Sequence, residues 1–514
     1  MNLLVVTVIA YPIILVGVSL WFARKVKSSD DFMVAGRTVP VILLVGSLVA
    51  TWIGSGSLFA ASGLAYRSGI SELWFSFGAW AGLVVAYFIA GRVRRIAQYT
   101  VPDLLEKRYN AAARVLGTFA IILAYITIAA YQFRGGGWIL TIATDGRISA
   151  EAGMYITAVV IVAFTALAGM TSIVKVDILN GIFMSLGVLI ALPYMVIKLG
   201  GVGSTAAALP ETHLTPLGGH NVLWVVGVSL PVFLLLLGES GIYQKFFSAK
   251  DETAARQAVL GMVVGVVVLE AALALLAIAG RAAYPELVGG TNIIGRAASE
   301  TVILHIARHG LPPIAGAILL AAGIAIVLST GNTFMLVSST NATRDIYNRF
   351  INPNATQKQL LLLQRAVIVA FAGIAILLLT QFTTVLSMAL YAYSLVGAAI
   401  TPVLLAAFLW KRVTPQGGVA CIAGGAGTIV GLGVLSRLGL DFSMEIGDTV
   451  FDFASSDYIV IPGVLISLSL LVVVSLLTKP SPPEKWAPFF ATKEEGRAEA
   501  TPSPEPSGPA ADSP

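Results

Sequence analysis

Residues 50–57 read Ala50-Thr51-Trp52-Ile53-Gly54-Ser55-Gly56-Ser57. They lie in the middle of an apolar stretch, approximately 40–65, long enough for the roughly 20 residues a membrane-spanning helix needs. Glycine is a poor helix former and serine hydroxyls compete for backbone groups. Two of each in mid-span therefore predict an interrupted helix. A break frees carbonyl oxygens, which lipid tolerates only where the backbone is buried in protein or lines a cavity. Freed carbonyls are ligands for a hard cation. The alternative is a face of small residues that lets two helices approach closely, and this stretch alone leaves both readings open.

The rest of the chain places that stretch in a membrane. Of 514 residues, 57% are hydrophobic and 11% charged, against about 25% charged in soluble domains. The mean hydropathy is +0.87. Surface-to-volume scaling does not let a soluble fold bury so much apolar side chain. Soluble enzymes, secreted disulfide scaffolds and disordered proteins are excluded. One cysteine, Cys421, excludes an internal disulfide and a cysteine-rich metal cluster. The fold class expected is an all-α polytopic membrane protein with about thirteen transmembrane helices. These run approximately over 2–22, 40–65, 72–92, 114–142, 151–170, 174–198, 222–243, 257–280, 313–338, 361–380, 384–409, 418–436 and 457–478.

The first stretch lacks a basic residue ahead of it and is followed by Arg24, Lys25 and Lys27. That polarity is wrong for a cleaved signal peptide. It reads as a permanent helix with the N-terminus outside. Most Lys and Arg then fall on the cytoplasmic side, among them Arg94, Arg95, Lys107, Lys245, Arg344 and Arg412, as the positive-inside rule requires. The net charge of +5 thus reflects orientation, and no nucleic-acid partner is expected. Residues from 479 to 514 are rich in Pro, Ser, Ala and Glu, a composition that predicts a disordered cytoplasmic tail.

Two further spans carry polar interruptions. Leu237-Gly238-Glu239-Ser240-Gly241 puts a carboxylate between glycines in an apolar run, a functional candidate by default unless Glu239 lies at the interface or is protonated. The ninth span ends Leu328-Ser329-Thr330-Gly331-Asn332-Thr333. Its hydroxyls could complete an ion site or bond back to carbonyls of their own helix. Interrupted spans two and seven, five helices apart, match the pattern of inverted-repeat transporters. The expected division is 1–39 for the first helix and loop, 40–200 and 201–415 for the two five-helix repeats, and 416–478 for two added helices.

At these residues the chain resembles the sodium/solute symporter family, which includes proline, pantothenate, sialic acid and sugar cotransporters. The likeness is carried by Ser29-Asp30-Asp31-Phe32 through Arg37, Ser68-Gly69-Ile70-Ser71-Glu72, Gln244-Lys245 through Lys250, Ser329-Thr330 through Tyr347, and Phe408-Leu409-Trp410-Lys411-Arg412 with Gly417 and Gly418. The resemblance implies a LeuT-type core of two inverted five-helix repeats, sodium-driven alternating access and no organic cofactor. It also implies a sodium site made by the carbonyls of Ala50, Ile53 and Ile326 and the hydroxyls of Ser329 and Thr330. Asp177 matches an aspartate linked in the family to sodium exit, or else caps a helix start. Where the family often has Trp two residues before it, this chain has Lys175.

Candidate solute-lining residues are Trp52, Ser57, Gln132, Arg134 and Glu239. Trp52 stands where the proline branch has an acidic residue, which argues against proline. Arg134, in a cavity, could hold a carboxylate bidentately; paired with Glu239 or snorkelling to the interface, it would not. The expected function is sodium-coupled import of a small organic solute, carboxylate-bearing on the first reading of Arg134, across the plasma membrane. A monomer suffices for it. A proton-coupled transporter, with Glu239 or Asp177 carrying the proton, is the rival. A channel would need a repeated pore element and a sensor a soluble signalling domain, and the sequence has neither. An enzyme is not expected, since His213, His220, His305 and His309 fall in expected outer loops.

Overall fold

The structure, a computed structural model, describes residues 3–23, 35–96, 98–287, 298–446 and 449–490. The loop motif over 29–34 and the tail from 491 lie outside the described residues. Among those described, eleven helices are long and apolar enough to cross a membrane, and Leu3–Val18 and Val41–Trp52 are shorter apolar helices. Together they account for the thirteen expected spans. In lipid each backbone polar group must be satisfied within its own segment, so apolar runs of this length become helices.

In chain order the described α-helices of seven or more residues are α1 (Leu3–Ala23), α2 (Val41–Trp52), α3 (Ser62–Ser68), α4 (Leu73–Ile96), α5 (Val101–Arg108), α6 (Ala111–Ala143), α7 (Ala150–Lys198), α8 (Val222–Gly238), α9 (Ser240–Ser248), α10 (Glu252–Ala283), α11 (Pro313–Thr340), α12 (Gln357–Leu379), α13 (Val385–Ala399), α14 (Thr401–Leu409), α15 (Pro415–Arg437), α16 (Val460–Leu477) and α17 (Pro483–Phe490). Their starts are written in the sequence. Asn110, Ser149, Asn221, Asp251 and Thr384 each accept the backbone N–H three residues on, and Thr356 with Gln359 forms a capping box. Such caps satisfy N–H groups that the first turn leaves unpaired.

Helical backbone runs through all 49 residues of α7, about 74 Å at 1.5 Å per residue and more than twice a hydrocarbon core of about 30 Å. Its two apolar arms, Ala150–Leu167 and Ser172–Lys198, both pack along α11. Thr165 bonds Asn332, Asp177 meets Ser329, and Lys198 reaches the Gly310 carbonyl ahead of α11. The expected fifth and sixth spans are these arms. Helix α11 packs against α1, α6 and α7. In the most apolar stretch of its span 83% of the residues are buried, against 28% in α12 and in α15. The polar residues of α11 therefore sit at the molecular centre, and α12 and α15 face lipid.

Two findings depart from expectation. An antiparallel hairpin, β1 (Ser443–Ile446) with β2 (Thr449–Asp452), pairs Ser443 with Asp452 and Ile446 with Thr449, so the loop between α15 and α16 is not purely irregular. The tail is not disordered from 479. Pro483–Phe490 is helical and buries Phe489 edge-on against Phe408, at 5.5 Å between ring centroids. Trp486, Phe489 and Phe490 supply apolar area that a Pro-rich reading of the whole segment undervalues.

Candidate ion and solute site

Helix α2 ends at Trp52, and Ile53 is extended, with φ −71° and ψ 96°. Ser55 returns to helical angles and a wide turn over Gly56–Ala61 leads into α3. The predicted interruption is thus real. Gln132 on α6 stabilises it, its Oε1 accepting the Ser55 N–H at 3.0 Å. The second interruption falls at Glu239, extended at φ −73° and ψ 105° between α8 and α9.

The carbonyl oxygens freed by the first break turn toward α11. Those of Ala50, Thr51 and Ile53 lie 3.4, 3.5 and 3.3 Å from the Thr330 hydroxyl oxygen. One hydroxyl proton cannot serve three acceptors. Four hard oxygen atoms converging in a buried junction form the donor set a hard cation takes. Of the five residues expected at the sodium site, Ala50, Ile53 and Thr330 come together. The Ser329 hydroxyl instead donates to Asp177 Oδ1 at 2.5 Å. Ile326 is fully buried in the uninterrupted α11, where helix pairing still leaves its carbonyl a second lone pair. Thr51 is an addition that the sequence reading did not make.

Gly54 closes this junction. A Cβ there would stand 2.8 Å from Thr330 Cγ2 and 3.0 Å from its Oγ1. Both branches of Thr330 are hit, so rotation about its χ1 does not clear the clash. Gly54→Ala is expected to raise the sodium concentration for half-maximal transport several-fold while the protein still reaches the membrane. A sodium titration of uptake checks this, and an unchanged midpoint would place Thr330 outside the ion site.

Asp177 lies within the second arm of α7, 1% exposed, and is not a helix cap. It accepts from Ser47 at 2.6 Å and from Ser329, and the Lys245 ammonium lies 3.4 Å away. Lys245 is the clearest correction to the topology argument. Counted there as a cytoplasmic charge, it is fully buried, with its Nζ donating to the Ser47 carbonyl and the Thr51 hydroxyl. Its place on α9, directly after an intramembrane break, carries it inward.

Glu239 is also buried, which removes the interface alternative. Its carboxylate accepts the N–H groups of Gly241 and Ile242 at 2.8 and 2.6 Å and the Tyr125 hydroxyl at 3.0 Å. It thereby caps α9, and it borders the central cavity. Arg134 does not. Its guanidinium donates to the carbonyls of Leu379 and Phe382 at 2.7 and 2.8 Å, neutralising the C-terminal end of α12; it neither pairs with Glu239 nor lines the cavity.

That cavity lies between the two breaks, walled by Trp52, Ser57, Phe75, Tyr131, Glu239, Glu270, Phe334 and Tyr393. It is narrow: about 20 Å³ is open to the centre of a water-sized sphere, near the need of a single water. The carboxylate of Glu270 on α10 is held by Trp52 Nε1 at 2.9 Å, Trp80 Nε1 at 2.8 Å and the Ser57 hydroxyl at 3.3 Å. Among the described residues, no Lys, Arg or His lines the cavity. Glu270 was missed in the sequence although its signal was present, a lone acid inside the apolar run 257–280. Trp52 and Ser57 border this cavity. Gln132 stands behind the break.

The profile of the sodium:solute symporter family matches residues 32–425. The chain is 26% identical to the sodium/proline symporter of Escherichia coli strain K12, over 91% of each chain. It is 25% identical to the sodium/pantothenate symporter of the same strain, over 82% of this chain and 89% of that one. In fold it is similar to a substrate-bound, outward-open Na+-coupled sialic acid symporter, with a TM-score of 0.74 at 15% identity over 94% of this chain and 99% of that one. It is also similar to MhsT in complex with L-phenylalanine, with a TM-score of 0.52 at 13% identity over 85% and 98%. The chain belongs to the sodium:solute symporter family. It is a membrane transporter of LeuT-type fold, not an enzyme.

Proposed function

We propose that this transporter imports a small organic solute whose cationic or N–H-bearing nitrogen docks at Glu270, driven by sodium bound between the Ala50, Thr51 and Ile53 carbonyls and the Thr330 hydroxyl. The single observation that carries the sodium assignment is the convergence of those three carbonyls on Thr330. An ion there ties the broken α2 to α11, so the ion and the cavity beside it favour the same conformation. Coupling needs that mutual gain in affinity. The membrane potential adds about 2.3 kcal/mol per charge per 100 mV to uptake. The N-terminus is placed outside, with the end that holds Arg95, Arg114 and Arg344 in the cytoplasm. The two breaks belong to inverted repeats over 40–200 and 201–415, and Asp177 lies on the sodium exit path.

The carboxylate-bearing solute inferred from Arg134 loses its support, because that guanidinium donates to carbonyls at the end of α12 and does not line the cavity. A solute carboxylate would have to rest on backbone N–H groups at the start of the wide turn over Gly56–Ala61, as half-helix N-termini do in transporters of this architecture. Glu239 is engaged as the cap of α9, with three donors on its carboxylate, a structural role that accounts for it without proton carriage.

Glu270→Gln keeps the shape and removes the charge. For a solute with a cationic nitrogen the expected result is a KM raised about ten- to a hundredfold, since a hydrogen bond to a charged group is worth about 1.5–3 kcal/mol. Solute-evoked sodium currents across proteoliposomes, with L-proline and pantothenate among the probes, measure it. Equal responses to all solutes before and after the substitution would remove Glu270 from recognition.

A further inference from the structure

We propose that the Lys245 ammonium is a built-in cation occupying a second cation site beside the sodium site, so that the protein binds one sodium where the same cage without the lysine would take two. The proposal rests on the sodium reading above. The cage consists of the Ser47 carbonyl, the hydroxyls of Ser47, Thr51 and Ser329, and the Asp177 carboxylate. Lys245 Nζ donates to the Ser47 carbonyl at 2.6 Å and to the Thr51 hydroxyl, and lies 3.4 Å from Asp177 Oδ2. Asp177 also accepts from Ser47 at 2.6 Å and from Ser329 at 2.5 Å. An ammonium has three N–H donors and no acceptor, and it finds three oxygen partners here. The cage is dry: Ser47, Ser329, Asp177 and Lys245 are each at most 2% exposed.

The two sites share a wall. Ser329 faces the lysine cage while its neighbour Thr330 faces the sodium carbonyls. Thr51 offers its hydroxyl to Lys245 and its carbonyl to the Thr330 side. A carboxylate this deep requires a counter-charge, because a buried ion without one is strongly destabilising. A free ion in the cage would be carried across with each cycle. The lysine satisfies Asp177 from a tether and cannot leave, so Asp177 stays neutralised without adding a transported charge. Lysine suits the role because its ammonium is a compact point charge on a flexible stem. Removing it strands Asp177 among hydroxyl and carbonyl oxygens, the ligands a second sodium would use.

The test is equilibrium binding of radioactive sodium to the purified full-length protein. The expected result is one sodium per chain for the wild type and two for Lys245→Met, with a Hill coefficient near 1 becoming greater than 1. Lys245→Arg retains the charge and is expected to hold one. The double variant Lys245→Met with Asp177→Asn removes both charges, is expected to fold, and should also bind one. Two sodium ions on the wild type, or one on a folded Lys245→Met, would overturn the proposal. If Lys245→Met fails to fold, two ions on the double variant would overturn it equally. No saturable sodium binding by the wild type would overturn the sodium reading itself, and this proposal with it.

Discussion

Thr330→Ala is expected to raise the sodium concentration for half-maximal uptake about ten- to a hundredfold, with a smaller loss of maximal rate at saturating sodium. The reason is local. The Thr330 hydroxyl is the oxygen on which the carbonyls of Ala50, Thr51 and Ile53 converge. A polar contact to a charged species in a dry site is worth about 1.5–3 kcal/mol, and each 1.4 kcal/mol is tenfold in affinity. Serine at the same position keeps the oxygen and should recover most of the affinity. Ser329→Ala is expected to shift the midpoint in the same direction but through Asp177, which loses a hydroxyl donor. A sodium titration of uptake in proteoliposomes reads these effects, and an unmoved midpoint in Thr330→Ala would remove it from the ligand set.

The second large effect is expected far from the ion. At the basic end of the molecule Arg114 is 5% exposed and holds three carboxylates at once: Asp103 at 2.6 Å, Glu106 at 2.6 Å and Asp345 at 2.5 Å. These come from α5 and from the segment Asn341–Ile351 that continues α11. Arg344 and Arg349 add bonds to Asp103 and Glu106 at 3.1 and 2.7 Å. The bonds from Arg349, then those from Arg114, keep the Glu106 carboxyl below its ordinary pKa. Arg114→Met leaves Asp345, fully buried, without its ion pair. Breaking a buried pair from one side costs about 3–5 kcal/mol, so the apparent Tm in detergent should fall on the order of 10 °C. The lone cysteine supplies the assay: Cys421 is buried and reacts with a fluorogenic maleimide only as the helices separate. An unchanged Tm would mean that the network carries no net stability.

Much of this architecture was legible in the chain. Span length and hydropathy placed the helices because lipid leaves the backbone few alternatives, and caps such as Asn110 and Asp251 marked where they begin. The breaks at Ile53 and Glu239 were legible through glycine and serine in otherwise apolar runs. What escaped was the direction of side chains across helices. Lys245 reads as an interfacial charge in one dimension, yet the break before α9 places it against α2 and α7. Arg134 reads as a cavity residue, yet the end of α12, more than two hundred residues away in sequence, offers it carbonyls. Glu270 lies in a helix with no other polar break, and only the approach of Trp52, Trp80 and Ser57 shows what it does. Phe489 likewise gains a partner only once Phe408 is in place.

The central claim is that sodium, gripped where the interrupted α2 meets α11, powers the uptake. The most direct measurement loads purified protein into proteoliposomes and follows a labelled metabolite mixture at fixed pH, with an inward sodium gradient or with choline in place of sodium. Accumulation of an amine-bearing solute under the sodium gradient and its loss in choline is the predicted result. Uptake that persists unchanged in choline, or that follows an imposed proton gradient instead, would contradict the account.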